Sequence, residues 1–264
     1  MTVTDLETLT ARLRAAGCVF AEEEAALLAA AAASPGELEV LVAQRISGRP
    51  LEHLLGWAEF RGLRVAVTPG VFVPRQRTGY LVERAVALGR MRRSCVVLDI
   101  CCGCGALGLA VATELRAAGI GVELTATDLE PAAAACARTN LAPLGAEVYC
   151  GDLFAPLPPE LAGRVDLLLA NTPYVPTDMI ARMPPEARDH EPRTALDGGG
   201  DGLDVIRRVA AAAGAWLAPG GAVFVETGAA QAPVAAEIFA AAGLTPAVLE
   251  SEELGATVVR ALRS

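Results

Sequence analysis

The sequence predicts an α/β fold: a doubly wound, mainly parallel seven-stranded sheet, preceded by a small helical N-terminal domain and a hairpin linker. Three features carry this expectation. From residue 95 onward, short runs of Val, Leu and Ile alternate with Ala-rich stretches of helical length. A glycine turn, Gly103-x-Gly105-x-x-Gly108, stands where the first of those strands passes into a helix. Ahead of residue 48, apolar residues recur every three to four positions. The composition supports a buried core, with 264 residues, 53% of them hydrophobic and 20% charged. Aromatic residues are only 4%, so Ala, Val and Leu must fill the interior.

In chain order, Leu6, Leu9 and Leu13, then Ala25, Leu28 and Ala32, mark apolar helix faces over residues 4–48. Ser34-Pro35-Gly36-Glu37 is a helix start: Ser34 caps, Pro35 suits the first turn and Glu37 closes a capping box. Pro50 is expected to stop that helix. WAEF and LRVAV around Arg61-Gly62 read as a hairpin over 57–68, with the turn Thr68-Pro69-Gly70 behind it and a helix over 78–90. The expected boundaries are 1–48 for the helical domain, 49–77 for the linker and 78–264 for the α/β domain. Within the last, CVVLDI, VELTATD, AEVYC and VDLLLAN are strands, with helices over 105–118 and 130–141. Residues 172–202 read as a long loop, 203–217 as a helix, AVFVET as a strand and 230–242 as a helix. PAVLES and ATVVRAL read as a closing antiparallel pair.

Charge narrows the function classes. The net charge is −9, which argues against a free-standing nucleic-acid binder. It is unevenly spread: residues 45–93 hold ten arginines against three acidic residues, between two acidic blocks. That stretch is either an amphipathic, solvated linker or a face for a polyanionic partner. All basic residues are arginine. The start, MTVTDLETLT, carries no basic leader or apolar segment, and the run Ala25 to Ala33 is about half a membrane span. Seven cysteines without framework spacing suggest reduced thiols in a cytoplasmic protein.

Three motifs carry chemistry. In Asp99-Ile100-Cys101-Cys102-Gly103-Cys104-Gly105, the glycines permit a tight turn and close backbone approach by a ligand at a helix N-terminus. Alone, this loop also fits a dinucleotide-dependent oxidoreductase or a silent binding module. Asp128 ends the second strand, where a carboxylate can accept from ribose hydroxyls or cap the next helix. Asn171-Thr172-Pro173-Tyr174 directly follows VDLLLA, at the carboxyl end of a parallel strand that faces a ligand crevice. An amide or exocyclic amino nitrogen is a poor nucleophile because its lone pair is delocalised. The Asn171 side-chain oxygen and the Thr172 carbonyl can accept its two N–H bonds, hold it in line with an electrophile and favour positive charge on it. The Tyr174 ring can pack on the flat group. Cys101, Cys102 and Cys104 lack a paired ligand group elsewhere, so no metal site is expected. His53 and His190 show no triad logic, and Glu226 reads as a strand-end structural residue.

Taken together, these residues resemble the protein-(glutamine-N5) methyltransferases of the release-factor type. The resemblance includes Leu51 to Gly56, Glu59-Phe60-x-Gly62, Val67 to Arg75, the Asp99 to Gly105 loop, Asn171 to Tyr174, and Glu191-Pro192-x-x-Ala195-Leu196-x-Gly198-Gly199-x-Asp201-Gly202-Leu203. It implies a class I, Rossmann-like methyltransferase domain that uses S-adenosyl-L-methionine. Cys101, Cys102, Gly103, Cys104 and Gly105 would wrap its methionine part, Asp128 its ribose, and Asp152 and Leu153 its adenine, with Asn171 also beside it. Asn171, Thr172, Pro173 and Tyr174 would bind the glutamine, with Asn171 and Tyr174 as the catalytic pair. The resemblance further implies methylation of a protein, namely a peptide chain release factor, in the cytoplasm, without membrane or stable nucleic-acid binding. The alternative acceptor is an exocyclic amine of RNA or DNA. Three positions depart from the family pattern: Thr172 stands for its first proline, Cys101 for a glycine, and Gln76-Arg77-Thr78-Gly79 for a Pro-Glu-Thr-Glu run.

Overall fold

A computed structural model describes residues 3–264. Helices α1 (Val3–Ala15), α2 (Ala21–Ala31) and α3 (Pro35–Ile46) open the chain. Leu9, Leu13, Ala25, Leu28 and Val42 gather into a small apolar cluster of their own. Ser34 Oγ accepts from the Glu37 amide at 3.2 Å, as the capping box requires, but the returning Glu37 carboxylate takes the Ala33 amide rather than that of Ser34. A buried ion pair joins α2 to α3: Arg45 donates to Glu24 at 2.6 and 3.1 Å. Pro50 does not end α3. That helix ends at Ile46, the chain reverses at Gly48 with φ of 96°, and Pro50 instead caps a short helix α4 (Leu51–Leu55). Its leucines Leu51, Leu54 and Leu55 pack onto the helical cluster.

Strands β1 (Trp57–Phe60) and β2 (Leu63–Ala66) form the expected antiparallel hairpin. Arg61 and Gly62 both have positive φ, 51° and 73°, as a two-residue hairpin turn demands. Helix α5 (Gly79–Gly89) leads into the large sheet. The remaining elements are β3 (Ser94–Ile100), α6 (Ala106–Ala117), β4 (Gly121–Asp128), α7 (Pro131–Leu141), β5 (Glu147–Cys150), β6 (Val165–Ala170), α8 (Pro185–His190), α9 (Asp204–Trp216), β7 (Leu217–Glu226), α10 (Ala232–Ala241), β8 (Thr245–Ser251) and β9 (Ala256–Leu262). The seven strands run in the order β5-β4-β3-β6-β7-β9-β8. Pairs from β5 to β7 are parallel, whereas β9 is antiparallel to both β7 and β8. The fold is therefore the doubly wound sheet expected from the sequence. Strand order reverses between β3 and β6, and the carboxyl ends of those two strands open the crevice in which such sheets bind ligands.

Each face of the sheet has its own core. One contains Val97, Leu115, Leu124, Leu167 and Phe224, and the other Leu98, Ile100, Leu168, Val223 and Phe239, as the period-two alternation of buried strands requires. Residues 172–202 are not a featureless loop. They hold two 3₁₀ turns, Thr177–Arg182 and Arg193–Ala195, and the helix α8. Each of these is led by a proline, a local signal too short to register as periodicity. Half of the ten arginines of residues 45–93 are neutralised by acidic residues from elsewhere in the chain: Arg45 pairs with Glu24, Arg61 with Glu114, Arg75 with Glu191, Arg77 with Glu226 and Arg92 with Asp166.

Candidate active site

The site begins at the end of β3. Cys101 and Gly103 lie in the left-handed region with φ of 52° and 56°, and Gly105 follows with φ of 81°. A Cβ on Gly103 would meet no protein atom within 4 Å. Protein packing therefore does not demand glycine there; the backbone angle and access to the loop do. A Cβ on Gly105 would press on Leu141 at 3.1 Å, so that glycine lets α6 and α7 approach. Asp128, at the end of β4, accepts the Gly103 amide at 2.8 Å with one oxygen and the Glu130 amide at 2.9 Å with the other. It thus closes a turn just ahead of α7, whose N-cap residue is Glu130, and tethers the glycine turn, leaving lone pairs on both oxygens. Burial raises its pKa above the ordinary carboxylate range.

Behind the turn, Asp99 is buried. One carboxylate oxygen accepts the Gly108 amide at 2.9 Å, and the other has no partner among the described residues. Burial pushes its pKa up to about 7. The thiols of Cys101, Cys102 and Cys104 are likewise pushed upward by burial, Cys104 to about 12, so all three are neutral and poor nucleophiles.

Opposite this turn, β6 ends at Ala170 and delivers Asn171. Among the described residues, the Asn171 side chain has no hydrogen-bond partner, although its neighbours are tightly held. The Val175 amide bonds the Leu196 carbonyl at 3.0 Å, the Gly198 amide bonds the Val175 carbonyl at 2.9 Å, and Gln231 donates to the Tyr174 carbonyl at 2.9 Å. The stretch from Glu191 to Leu203 folds directly onto this segment. A Cβ on Gly198 would lie 2.7 Å from the Pro173 carbonyl oxygen, and one on Gly202 would drive into the Tyr174 carbonyl. Thr172 is buried, and its hydroxyl has no partner among the described residues.

Cys101, Cys102, Gly103 and Cys104, with Asp128, Asp152 and Leu153, line one wall of a single cleft, and Asn171, Thr172, Pro173 and Tyr174 line it as well. Of the residues expected to hold the cofactor or the acceptor, Gly105 alone stands behind the lining. Asp152 sits at the rim, where its carboxylate takes Arg208 at 2.6 Å. Leu153 has φ of 48°, and the following Phe154 stacks on Trp216 at 5.5 Å, which anchors this corner to α9.

Several contributors escaped the sequence reading. Glu226, at the end of β7, accepts from Arg77 and from the Tyr174 hydroxyl, both at 3.0 Å. Glu191 binds Arg75 at 2.6 Å and the Val73 amide at 3.2 Å, joining the linker to the 191–203 stretch. Asn140 exchanges hydrogen bonds with Ala66 at 2.9 Å and donates to the Cys104 carbonyl at 2.8 Å. His53, buried, donates to the Val71 carbonyl at 2.9 Å. These contacts join residues far apart in sequence; only the strand-end position of Glu226 offered a clue.

A glycine turn at a helix N-terminus, an acidic residue ending the next strand and an unpaired amide across the crevice define a methyltransferase of the class I, S-adenosylmethionine-dependent type. A family profile described as "Methyltransferase domain" matches residues 97–190. The release factor glutamine methyltransferase of Mycolicibacterium smegmatis is 42% identical over 240 residues, 84% of this chain and 83% of that protein. The enzyme of the same name from Bradyrhizobium diazoefficiens is 36% identical over 260 residues, 90% of this chain and 86% of that protein. Among solved structures, a methyltransferase from Pyrococcus furiosus superposes with a TM-score of 0.56 at 17% identity, covering 77% of this chain and 90% of that one, a likeness of fold. The chain belongs to the release factor glutamine methyltransferase family.

Proposed function

We propose that the chain methylates the N5 amide nitrogen of a glutamine side chain in a peptide chain release factor. The observation that carries this is the Asn171 amide, left without an internal partner at the mouth of β6 beside the Tyr174 ring and facing the glycine turn across one cleft. When bound, S-adenosylmethionine supplies a methyl group made electrophilic by a sulfonium. The cleft suits it: Asp128 keeps lone pairs for ribose hydroxyls, Gly103 leaves open space at the turn, and Leu153 offers an apolar wall at the adenine end. Cys101 to Cys104 would hold the methionine part, with Gly105 shaping the turn from behind.

On the acceptor side, the Asn171 oxygen and the Thr172 carbonyl would take the two N–H bonds of the glutamine amide, while Pro173 and Tyr174 pack on its plane. These acceptors align the nitrogen and stabilise positive charge as it forms. The methylated amide then sheds a proton to water, so no strong base is needed. Tyr174 is unsuited to that role: burial, with Glu226 beside it, pushes its phenol up to about 12, and its hydroxyl is committed to Glu226.

A protein acceptor rather than nucleic acid is supported by the −9 net charge and by the acidic partners of half of the 45–93 arginines. Among the described residues no helix is long and apolar enough to cross a membrane, and we place the enzyme in the cytoplasm with its substrate. Boundaries of 1–48, 49–77 and 78–264 remain our working division; the separate N-terminal cluster supports a helical unit, and Leu51, Leu54 and Leu55 of α4 pack onto it from the linker side of the first boundary.

The test is incubation of purified release factor with enzyme and S-adenosylmethionine, followed by peptide mass spectrometry. One methyl on a glutamine is expected. Release factor left unmodified, with the methyl appearing instead on RNA or DNA offered in the same assay, would overturn the reading.

A further inference from the structure

Tyr174 is tied to the protein through its hydroxyl as well as its backbone. That hydroxyl donates to Glu226 Oε1 at 3.0 Å and accepts from Arg77 Nη2 at 2.6 Å. Arg77 Nε also donates to the same Glu226 oxygen at 3.0 Å, so the three side chains close a triangle. Glu226 is buried at the end of β7, only 3% exposed, and its second oxygen has no partner among the described residues. Arg77 is 46% exposed and lines the cleft. It is the cation bound to this buried carboxylate, and it stands in the run where the family pattern carries carboxylates. Removing the arginine would leave the buried Glu226 carboxylate without this cation.

The geometry points to Arg77 as a positioning residue: it clamps the Tyr174 hydroxyl onto Glu226 and so fixes the aromatic wall of the acceptor site. This rests on the reading that Asn171 and Tyr174 receive the glutamine amide. Arg77 does not touch the reacting atoms. It acts through the ring, and two links from one rigid fork hold that ring better than the hydroxyl's own bond to Glu226. Alignment of a weak nucleophile is where a small displacement is most costly.

The test compares Arg77→Met, Tyr174→Phe and the double variant with the parent, using methylation kinetics on release factor and calorimetry with S-adenosylmethionine. Arg77→Met should lower kcat by about tenfold to a hundredfold while cofactor affinity stays within about twofold. Tyr174→Phe should act similarly, and the double variant should be no worse than the more impaired single one, because both break the same link. Arg77→Lys, which keeps the charge but not the fork, should recover only part of kcat. Independent, multiplying effects would overturn the clamp, as would an Arg77→Met enzyme with unchanged kcat. A second readout does not depend on the acceptor. The chain has three tyrosines, so fluorotyrosine labelling gives three fluorine resonances, with Tyr174→Phe identifying one. Arg77→Met should shift and broaden that one; an unchanged resonance overturns the clamp. A parent enzyme that leaves release factor unmethylated while Arg77→Met moves the resonance would sink the acceptor reading and leave the clamp standing.

Discussion

Asp99 and Cys101 show what the cofactor turn costs the fold. Burial of Asp99 raises its pKa from the ordinary value near 3.8 to about 7, so the folded chain binds that proton more tightly than the unfolded chain. The associated stability is fully present below about pH 4 and is lost as pH rises through about 7. Asp99→Asn removes this dependence. Urea unfolding of the ligand-free protein should show the variant gaining on the parent between pH 4 and 7; parallel stability curves would contradict it. Cys101 holds φ of 52°, a region that glycine enters freely and β-branched residues resist. Cys101→Gly should therefore change stability by no more than about 1 kcal/mol, and Cys101→Val should cost about 2 kcal/mol or more. Equal denaturation midpoints for the two would rule out the strain. At this scale the sequence was most informative where function follows strand ends. Asn171 was legible because it follows an apolar run immediately, and Asp128 because it ends the β-prone stretch VELTATD just ahead of a helix. Arg77 was not, because its partner Glu226 is 149 residues away and nothing local couples them.

At the scale of elements, the departure from expectation is the 172–202 segment. Its prolines start turns too short for a periodic signal, and two of its glycines, Gly198 and Gly202, report on contacts with the Pro173–Tyr174 backbone rather than on local loops. Gly202 has φ of 77° and lies against the Tyr174 carbonyl and the Gln231 amide. Gly202→Ala must move either the Asn171 to Tyr174 segment or the N-terminus of α10. It should lower stability by about 2 kcal/mol or more and reduce methylation further than the lost folded fraction explains. Wild-type activity per folded molecule would refute that coupling. Helix α4 was missed for a related reason: five residues after a proline carry too little pattern, and their leucines make sense only once the cluster they complete is seen. The central strands β3 and β6, by contrast, were legible because they are buried on both faces and so read as nearly continuous apolar runs.

Across the whole molecule, sheet order and charge behave differently. The alternation of strands and helices predicts a doubly wound sheet, but the β5-β4-β3-β6-β7-β9-β8 order is set by packing and is visible only in the fold. The arginine-rich stretch illustrates the converse. A contiguous surplus of charge in sequence becomes, for half of its arginines, a scatter of ion pairs in space, two of which (Arg75–Glu191 and Arg77–Glu226) brace the cleft. What joins the scales is one crevice, between a turn that approaches a ligand through its backbone and an amide that is left unpaired.

The most direct test of that account is methyl transfer by Asn171→Ala. Calorimetry should show S-adenosylmethionine binding within a few-fold of the parent, since the turn and Asp128 are untouched, while methylation of release factor glutamine falls by about a hundredfold or more. An Asn171→Ala enzyme that methylates at the parent's rate would contradict the central claim.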